Sequence, residues 1–322
     1  MMFHFSTLFA AFKRSLFVFI IILWGCEEPK AEKSTDKTSI IVLGTIQDAG
    51  APHIACAKAC CTTLRDENTF KPVTCLGLYD SNTQKKYVFE ASPNFPQQLK
   101  ELTLFGVKSK KELPDGIFLS HAHIGHYAGL MYLGKEAVNS KHVPVYAMPK
   151  MASYLQINGP WSQLVETNNI SLQPLEDKKA VVLSENVSVT PLIVPHRDEF
   201  SETVGFVIQG PQKTALFIPD IDKWEKWNLS IEDEVAKVDY AFLDATFYSG
   251  EELNFRDISE IPHPFIIETM ALFEGAPKSI KEKIFFIHMN HTNPAIDPLS
   301  EASQIIEANG FHVARLHQVF EL

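Results

Sequence analysis

Three imidazoles fall within six residues at His121-Ala122-His123-Ile124-Gly125-His126, directly after the apolar run Gly116-Ile117-Phe118-Leu119-Ser120. The run reads as a buried strand and residues 127–137 as a helix, so the histidines occupy a strand-to-helix turn. Neutral imidazole is the commonest transition-metal ligand. A short turn of this kind aims His121 and His123 at one ion and His126 at a neighbouring point. The competing reading is a histidine-rich surface loop, but such turns ordinarily draw on Gly, Asn, Asp and Ser.

Further metal-ligand side chains follow apolar runs elsewhere. His196 comes after Pro191-Leu192-Ile193-Val194-Pro195, Asp220 after Ala215-Leu216-Phe217-Ile218-Pro219, and His288 after Ile284-Phe285-Phe286-Ile287. A lone histidine at a strand end is ordinarily a hydrogen-bonded structural residue. Four such placements, counting the cluster, meet on one rim if the strands run parallel in the same layer. Asp222 is an alternative to Asp220, but Asp220 immediately follows its strand.

The elements that must position these groups alternate along the chain. Runs rich in Val, Ile, Leu and Phe predict strands at 40–45, 74–79, 86–91, 116–120 and 143–147, then at 180–183, 187–194, 204–209, 215–219, 239–244 and 283–288. Helices are expected at 95–105, 127–137, 150–156, 265–273 and 300–309. Strands outnumber helices and both halves contain both. This order fits an α/β, four-layer αββα sandwich of two mixed sheets better than a doubly wound parallel sheet with one helix after each strand.

At 322 residues, 45% hydrophobic and 21% charged, the chain can bury one large core or two modest ones. A net charge of −10 with no Lys/Arg-rich run excludes nucleic acid as an expected partner. The N-terminal region is set apart. Lys13-Arg14 precede an apolar run from Leu16 to Trp24, which ends at Leu23-Trp24-Gly25-Cys26. Residues 1–26 therefore read as a signal peptide of lipoprotein type, with Cys26 the lipidated residue. An uncleaved anchor helix, lengthened by Phe3 to Phe12 toward the ~20 residues a bilayer needs, and cleavage without lipid are the alternatives. All three place the body outside the cytoplasm, anchored to or released from a membrane. Residues 27–39, charged and poor in apolar side chains, read as a disordered tether. The globular domain is expected from Ile40 to Leu322.

With these residues in view the chain resembles the metallo-β-lactamase superfamily, in which a His-x-His-x-Asp-His turn, a later His, an Asp and a final His bind one or two metals. The resemblance spans roughly 40–322. The segments Leu43-Gly44-Thr45 through Asp48-Ala49-Gly50-Ala51-Pro52, Leu243-Asp244-Ala245-Thr246-Phe247-Tyr248, Pro262-His263-Pro264 and His288-Met289-Asn290-His291-Thr292-Asn293-Pro294 are similar to the branch that contains the pyrroloquinoline-quinone biosynthesis B proteins. A sister resemblance is to the cyclic phosphodiesterases associated with carbon–phosphorus lyase. The resemblance implies a first metal on His121, His123 and His196, a bridging Asp220, and a second metal on His126 and His288. Gly125 departs from the pattern where the superfamily has Asp. A second site that is weaker, completed in part by water or another side chain, or empty is the expectation.

Cys56, Cys60 and Cys61 lie close together, and His291 lies three residues after His288. In the phosphodiesterase relatives three cysteines of the early loop and such a histidine hold a structural zinc, and Cys₃His is a normal closed zinc set. Adjacent Cys60 and Cys61 do not easily reach one ion. A disulfide, with Cys75 as a possible partner, is the alternative in an oxidising compartment, although Cys75 also reads as a buried small hydrophobe in its strand.

A metal on the three histidines would lower the pKa of bound water toward 7 and supply a hydroxide nucleophile. Asp220 would orient it or accept its proton, and His263 is the candidate general acid, with a roleless loop histidine as the alternative. Asp244 is expected to brace the ligands from behind. His53 lies beside the early loop, where it can face substrate; His317 has no evident role. Three functions follow: a zinc-dependent hydrolase of a small ester, lactam or phosphodiester; an iron-dependent protein of quinone biosynthesis acting oxidatively on a peptide; and a metal- or ligand-binding lipoprotein without turnover.

Overall fold

Period-two alternation in the apolar runs decides which layer each side chain enters. The computed structural model describes residues 36–105, 111–197, 199–253 and 258–322. The proposed leader, Cys26 and most of the tether lie outside the described residues. Among the described residues no helix is long and apolar enough to cross a membrane.

The strands are β1 Ser39–Gly44, β2 Cys75–Asp80, β3 Lys85–Phe89, β4 Gly116–Phe118, β5 Val143–Ala147, β6 Ile170–Pro174, β7 Val181–Ser184, β8 Val187–Ile193, β9 Val204–Gln209, β10 Thr214–Ile218, β11 Tyr240–Asp244, β12 Ile284–Ile287, β13 His312–Val313 and β14 Val319–Glu321. They form two seven-stranded sheets, ordered β14-β1-β2-β3-β4-β5-β6 and β13-β12-β11-β10-β9-β8-β7. Both sheets are mixed. In the first, β3 to β6 run parallel and β14, β1, β2 and β3 pair antiparallel. In the second, β10 to β13 run parallel while β7, β8, β9 and β10 pair antiparallel.

Ile40 and Val42 of β1 enter the core between the sheets, whereas Ile41 and Leu43 face the outer helices. On the other sheet Ala215 and Phe217 of β10 point inward and Leu216 and Ile218 outward. Phe89, Phe118 and Phe206 meet across the sheets with ring centroids 5.0 to 5.8 Å apart. Losing one such ring costs about 3–5 kcal/mol. Helices cover the outer faces. Phe95, Leu99 and Leu102 of α2 (Phe95–Leu102), Met151 and Leu155 of α4 (Pro149–Ile157) and Leu164 of α5 (Trp161–Glu166) pack on the first sheet. Ile231 and Val235 of α6 (Ile231–Ala236), Ile266 of α7 (Ile266–Leu272), and Ala302 and Ile306 of α9 (Glu301–Ala308) pack on the second. The remaining helices are α1 (Ala59–Asp66), α3 (Ile124–Tyr127) and α8 (Lys278–Lys281). This is the expected αββα sandwich.

Three expectations are corrected. The helix after the histidine turn does not run from 127 to 137: α3 gives way to a 3₁₀ segment, Ala128–Leu133. The cause is close backbone contact, since a Cβ on Gly129 would collide with the carbonyls of Ser92 and Ala91. Gly129 N donates to Ala91 O at 2.8 Å, and Ala91 N to His126 O at 2.8 Å, so the turn is bonded to the end of β3. The domain begins before Ile40, because Thr38 and Ser39 are already buried and β1 starts at Ser39. The third correction concerns the ligand-bearing strands. They do not share one layer: β4 belongs to the first sheet, and β8, β10 and β12 to the second.

Candidate metal centre

Those two sheets nevertheless deliver their strand ends to one place. β10, β11 and β12 are parallel, and β8, two antiparallel steps from β10, runs the same way. His196, Asp220, Asp244 and His288 therefore leave the second sheet on one edge, where they face the turn after β4. Asp220 is the focus. Its Oδ2 lies 3.3 Å from His196 Nε2, 3.4 Å from His121 Nε2, 3.9 Å from His126 Nε2, 4.0 Å from His123 Nδ1 and 4.0 Å from His288 Nε2. Two atoms bound tetrahedrally to one zinc at ~2.1 Å stand about 3.4 Å apart. The nearest contacts match that spacing. His121, His123, His196 and Asp220 form one potential metal set.

His121 Nε2 and His123 Nδ1 lie 2.8 Å from each other, and other polar atoms around this point are buried without partners. His126 Nε2, His288 Nε2 and both ring nitrogens of His196 have no hydrogen bond in the protein. An orphaned buried polar atom costs about 1–3 kcal/mol, so several facing one point fit a cation there. The rings are also braced from behind, leaving Nε2 to face inward. Ser120 Oγ lies 2.8 Å from His121 Nδ1 and 3.4 Å from His126 Nδ1. Buried Glu90 stands 3.5 Å from His126 Nδ1, and Thr246 Oγ1 3.1 Å from His288 Nδ1. Such outer contacts fix ring orientation and ligand basicity.

Electrostatics follow from the same distances. Burial opposes charge on His126, but the carboxylates of Glu90, Asp48 and Asp220 raise its pKa to about 9. His121 is held well below the usual imidazole range by burial and by the neighbouring His126 charge. Burial works against the Asp220 anion, yet His196, His263 and His288 keep its pKa well below the carboxylate norm. A divalent metal competes for these same sites.

His263 belongs to the centre and is no idle loop residue. Its Nδ1 donates to Asp244 Oδ2 at 2.9 Å and stands 3.1 Å from Asp220 Oδ1, where the nearer Asp244 takes the hydrogen bond and Asp220 retains a charge contact. Against the burial penalty, Asp244 and Asp220 raise its pKa to about 10. Asp244 is fully buried. Its Oδ1 accepts from Thr246 Oγ1 at 2.8 Å and its Oδ2 from the amide of Ile221 at 3.2 Å. Asp222 takes no part, since its carboxylate pairs with Lys226 at 2.9 Å. His317 pairs with Glu101 at 2.6 Å, away from the site.

The residues not foreseen are Asp48, Glu90, Ser120 and Thr246. Glu90 follows the apolar run Tyr87-Val88-Phe89 and obeys the strand-end rule that found the others. Asp48 obeys no such rule. It sits on the loop after β1, with its Oδ1 buried, without a hydrogen-bond partner and 3.6 Å from His126 Nε2. Asp48, His126 and His288 form a second potential metal set, and Asp220, Asp244, His263 and His288 a third.

The cysteines meet at the far end of the same loop. Cys56, Cys61 and His291 offer ligand atoms within 4.8 Å of one another, and Cys60 Sγ lies 4.0 Å from Cys61 Sγ. Cys60 and Cys61 lie in the first turn of α1, a helix not expected from the sequence, and Cys60 is not part of the set that Cys56, Cys61 and His291 form. The four described cysteines are free thiols, and Cys75 lies buried in β2 with its Sγ near Glu90 O, apart from the cluster. No disulfide joins them. Burial and the neighbouring Cys61 raise the Cys60 thiol to about 11. Burial and the stacked ring of His53, centroid to centroid 4.3 Å, lower His291 to about 4, and its Nδ1 has no partner. His53 thus stacks on His291. Arg65 closes the loop by donating to Cys56 O at 2.6 Å and His53 O at 2.7 Å.

This fold and this cluster of histidines and carboxylates characterise a metallohydrolase scaffold. A beta-lactamase superfamily domain matches residues 85–289, more than half of the chain, and the chain belongs to that superfamily. It is similar to the coenzyme PQQ synthesis protein B of Xanthomonas euvesicatoria pv. vesicatoria, 26% identical over 303 residues, covering 85% of this chain and 97% of that protein. The same protein of Nitrosococcus oceani is 26% identical over 309 residues, with the same coverage. Among solved structures, a zinc-bound PqqB from Methylobacterium extorquens superposes with a TM-score of 0.73 at 18% identity, covering 88% of this chain and 100% of that one. A diphosphatase of the PhnP family superposes with a TM-score of 0.63 at 19% identity, covering 89% and 98%.

Proposed function

We propose that the protein is a metal-dependent hydrolase of a small ester, lactam or phosphodiester. The observation that carries this reading is the single carboxylate oxygen of Asp220 within 4.0 Å of five histidine nitrogens, which suits a bridge between two ions. His121, His123 and His196 would hold the first ion, His126 and His288 the second, and zinc is the metal proposed. Metal held there would supply Lewis acidity and lower the pKa of a water toward neutrality. Asp220 orients the attacking water. His263, held protonated between Asp220 and Asp244, is the proton source for the leaving group. Ser120, Glu90 and Thr246 keep the imidazoles aimed. Cys56, Cys60, Cys61 and His291 are proposed to hold a structural zinc. The test is turnover of a nitrophenyl ester, a chromogenic cephalosporin and bis(nitrophenyl) phosphate by zinc-loaded protein. Hydrolysis of at least one, lost in Asp220→Asn, is expected; no turnover of any class would refute the reading.

Similarity over 85% of the chain to coenzyme PQQ synthesis proteins supports a second reading, in which iron at the same histidines serves oxidative chemistry on a peptide. Iron-loaded protein would then consume oxygen in a peptide-dependent manner, and zinc-loaded protein would not.

The N-terminal pattern supports a lipoprotein exported and anchored outside the cytoplasm through Cys26. Cells fed labelled palmitate should label the wild-type chain and leave Cys26→Ala unlabelled. Equal labelling of the two would dismiss the anchor.

A further inference from the structure

Gly125 stands where the superfamily turn carries its aspartate, and the structure has filled the space it leaves. A Cβ built on Gly125 would lie 2.6 Å from Asp48 Cα and closer still to Asp48 Oδ1. The carboxylate of one residue thus occupies the volume that the other's side chain would need. Asp48 Oδ1, His126 Nε2 and His288 Nε2 face one another within 4.8 Å. All three atoms are buried and lack any hydrogen-bond partner, and the two imidazoles are fully buried. A buried carboxylate oxygen set against two imidazole nitrogens with nothing between them is the donor set of a divalent cation.

We infer that Asp48 is the carboxylate ligand of the second metal, supplied from the loop after β1 in place of the missing aspartate at 125. The inference rests on the two-metal reading above and deepens it: the second site is complete, with its anion moved to another segment. The backbone at Asp48 has φ +26°, a conformation side chains rarely adopt. Neighbouring hydrogen bonds hold it there. Gln47 N donates to Met289 O at 2.9 Å and Met289 N to Thr45 O at 2.9 Å, so the segment bearing Asp48 is tied to the one bearing His288. Asn290 Nδ2 adds a 2.9 Å bond to Gln47 Oε1.

The test exchanges the two positions. Wild type, Asp48→Gly, Gly125→Asp and the double variant are stripped of metal, loaded with cobalt(II) and titrated, with bound metal counted by elemental analysis. Thiolate-to-cobalt absorption reports the cysteine site, and ligand-field absorption reports the histidine centre. Thermal melts check folding. Wild type should take two ions at the histidine centre. Asp48→Gly, which suits a positive φ, should retain the cysteine band and one of the two ions, with affinity for the other reduced ~10²-fold or more. Gly125→Asp alone should weaken the second site through the clash with Asp48. Adding Gly125→Asp to Asp48→Gly should not restore the lost ion, because a Cβ at 125 would still lie 2.6 Å from the Cα of residue 48. If Asp48→Gly keeps both ions at wild-type affinity, Asp48 is not the ligand, although the two-metal reading stands. If wild type takes a single ion at the histidines, that reading falls and the inference with it.

Discussion

Asp220→Asn should abolish measurable hydrolysis, lowering kcat/KM by on the order of 10³-fold, while leaving the fold and the cysteine site in place. The expected size follows from geometry. One oxygen of Asp220 serves five imidazoles, so the substitution removes the shared anion from both ion positions at once. Loss of a single preorganised electrostatic group typically costs about 10²–10³-fold, and a bridge serves two. Asparagine keeps the volume and removes the charge. It also removes one of the two carboxylates that hold His263 protonated. Steady-state kinetics with elemental analysis and circular dichroism on the same sample would check the result. A variant with wild-type turnover, or one that is inactive because it is unfolded, would go against this assignment.

The second large effect concerns the cysteines. Cys61→Ser should cost one equivalent of zinc and lower the melting temperature by on the order of 10 °C, because a closed zinc site contributes folding energy directly. Cys61 is buried, its Sγ accepts from His53 N at 3.2 Å, and its ligand atom lies within 4.8 Å of those of Cys56 and His291. Without the ion, the loop from Thr45 to Cys56 keeps the bridges of Ile46 to Val73 and Met289 and of Ala51 to Lys71, but at its far end only the hydrogen bonds of Arg65 to Cys56 O and His53 O and of His53 N to Cys61 Sγ hold it. Affinity for the second histidine-centre ion should fall as well, since Asp48 rides on that loop. A reducing agent alone should change nothing. If dithiothreitol reproduces the loss of stability with zinc still bound, a disulfide holds the loop and the zinc assignment is wrong.

Residues that follow a strand were legible because an apolar run announces the strand and the next polar side chain must leave at its end. His121, His196, Asp220 and His288 are found that way, Asp244 comes from the family resemblance, and Glu90 is within reach of the strand-end argument. Which layer each strand joins was not legible. Periodicity reports faces, not partners, so β4 was grouped with β8, β10 and β12 although it lies in the opposite sheet. Short edge strands such as β13 and β14, of two and three residues, are defined by their pairing and leave little trace in composition. Helix α1 was hidden by its cysteines and threonines, a weakly helical composition. Asp48 was hardest of all. Its significance depends on an absent side chain at Gly125, distant in the chain, and only the fold brings the two together.

The most direct measurement is an anomalous difference map from a crystal of the zinc-loaded protein, collected on both sides of the zinc absorption edge. Three peaks are predicted: two on either side of Asp220 Oδ2, one against His121, His123 and His196 and the other against Asp48, His126 and His288, and a third among Cys56, Cys60, Cys61 and His291. A map with no peak beside Asp220, from protein that retains its fold, would contradict the metal centre and the function proposed for it.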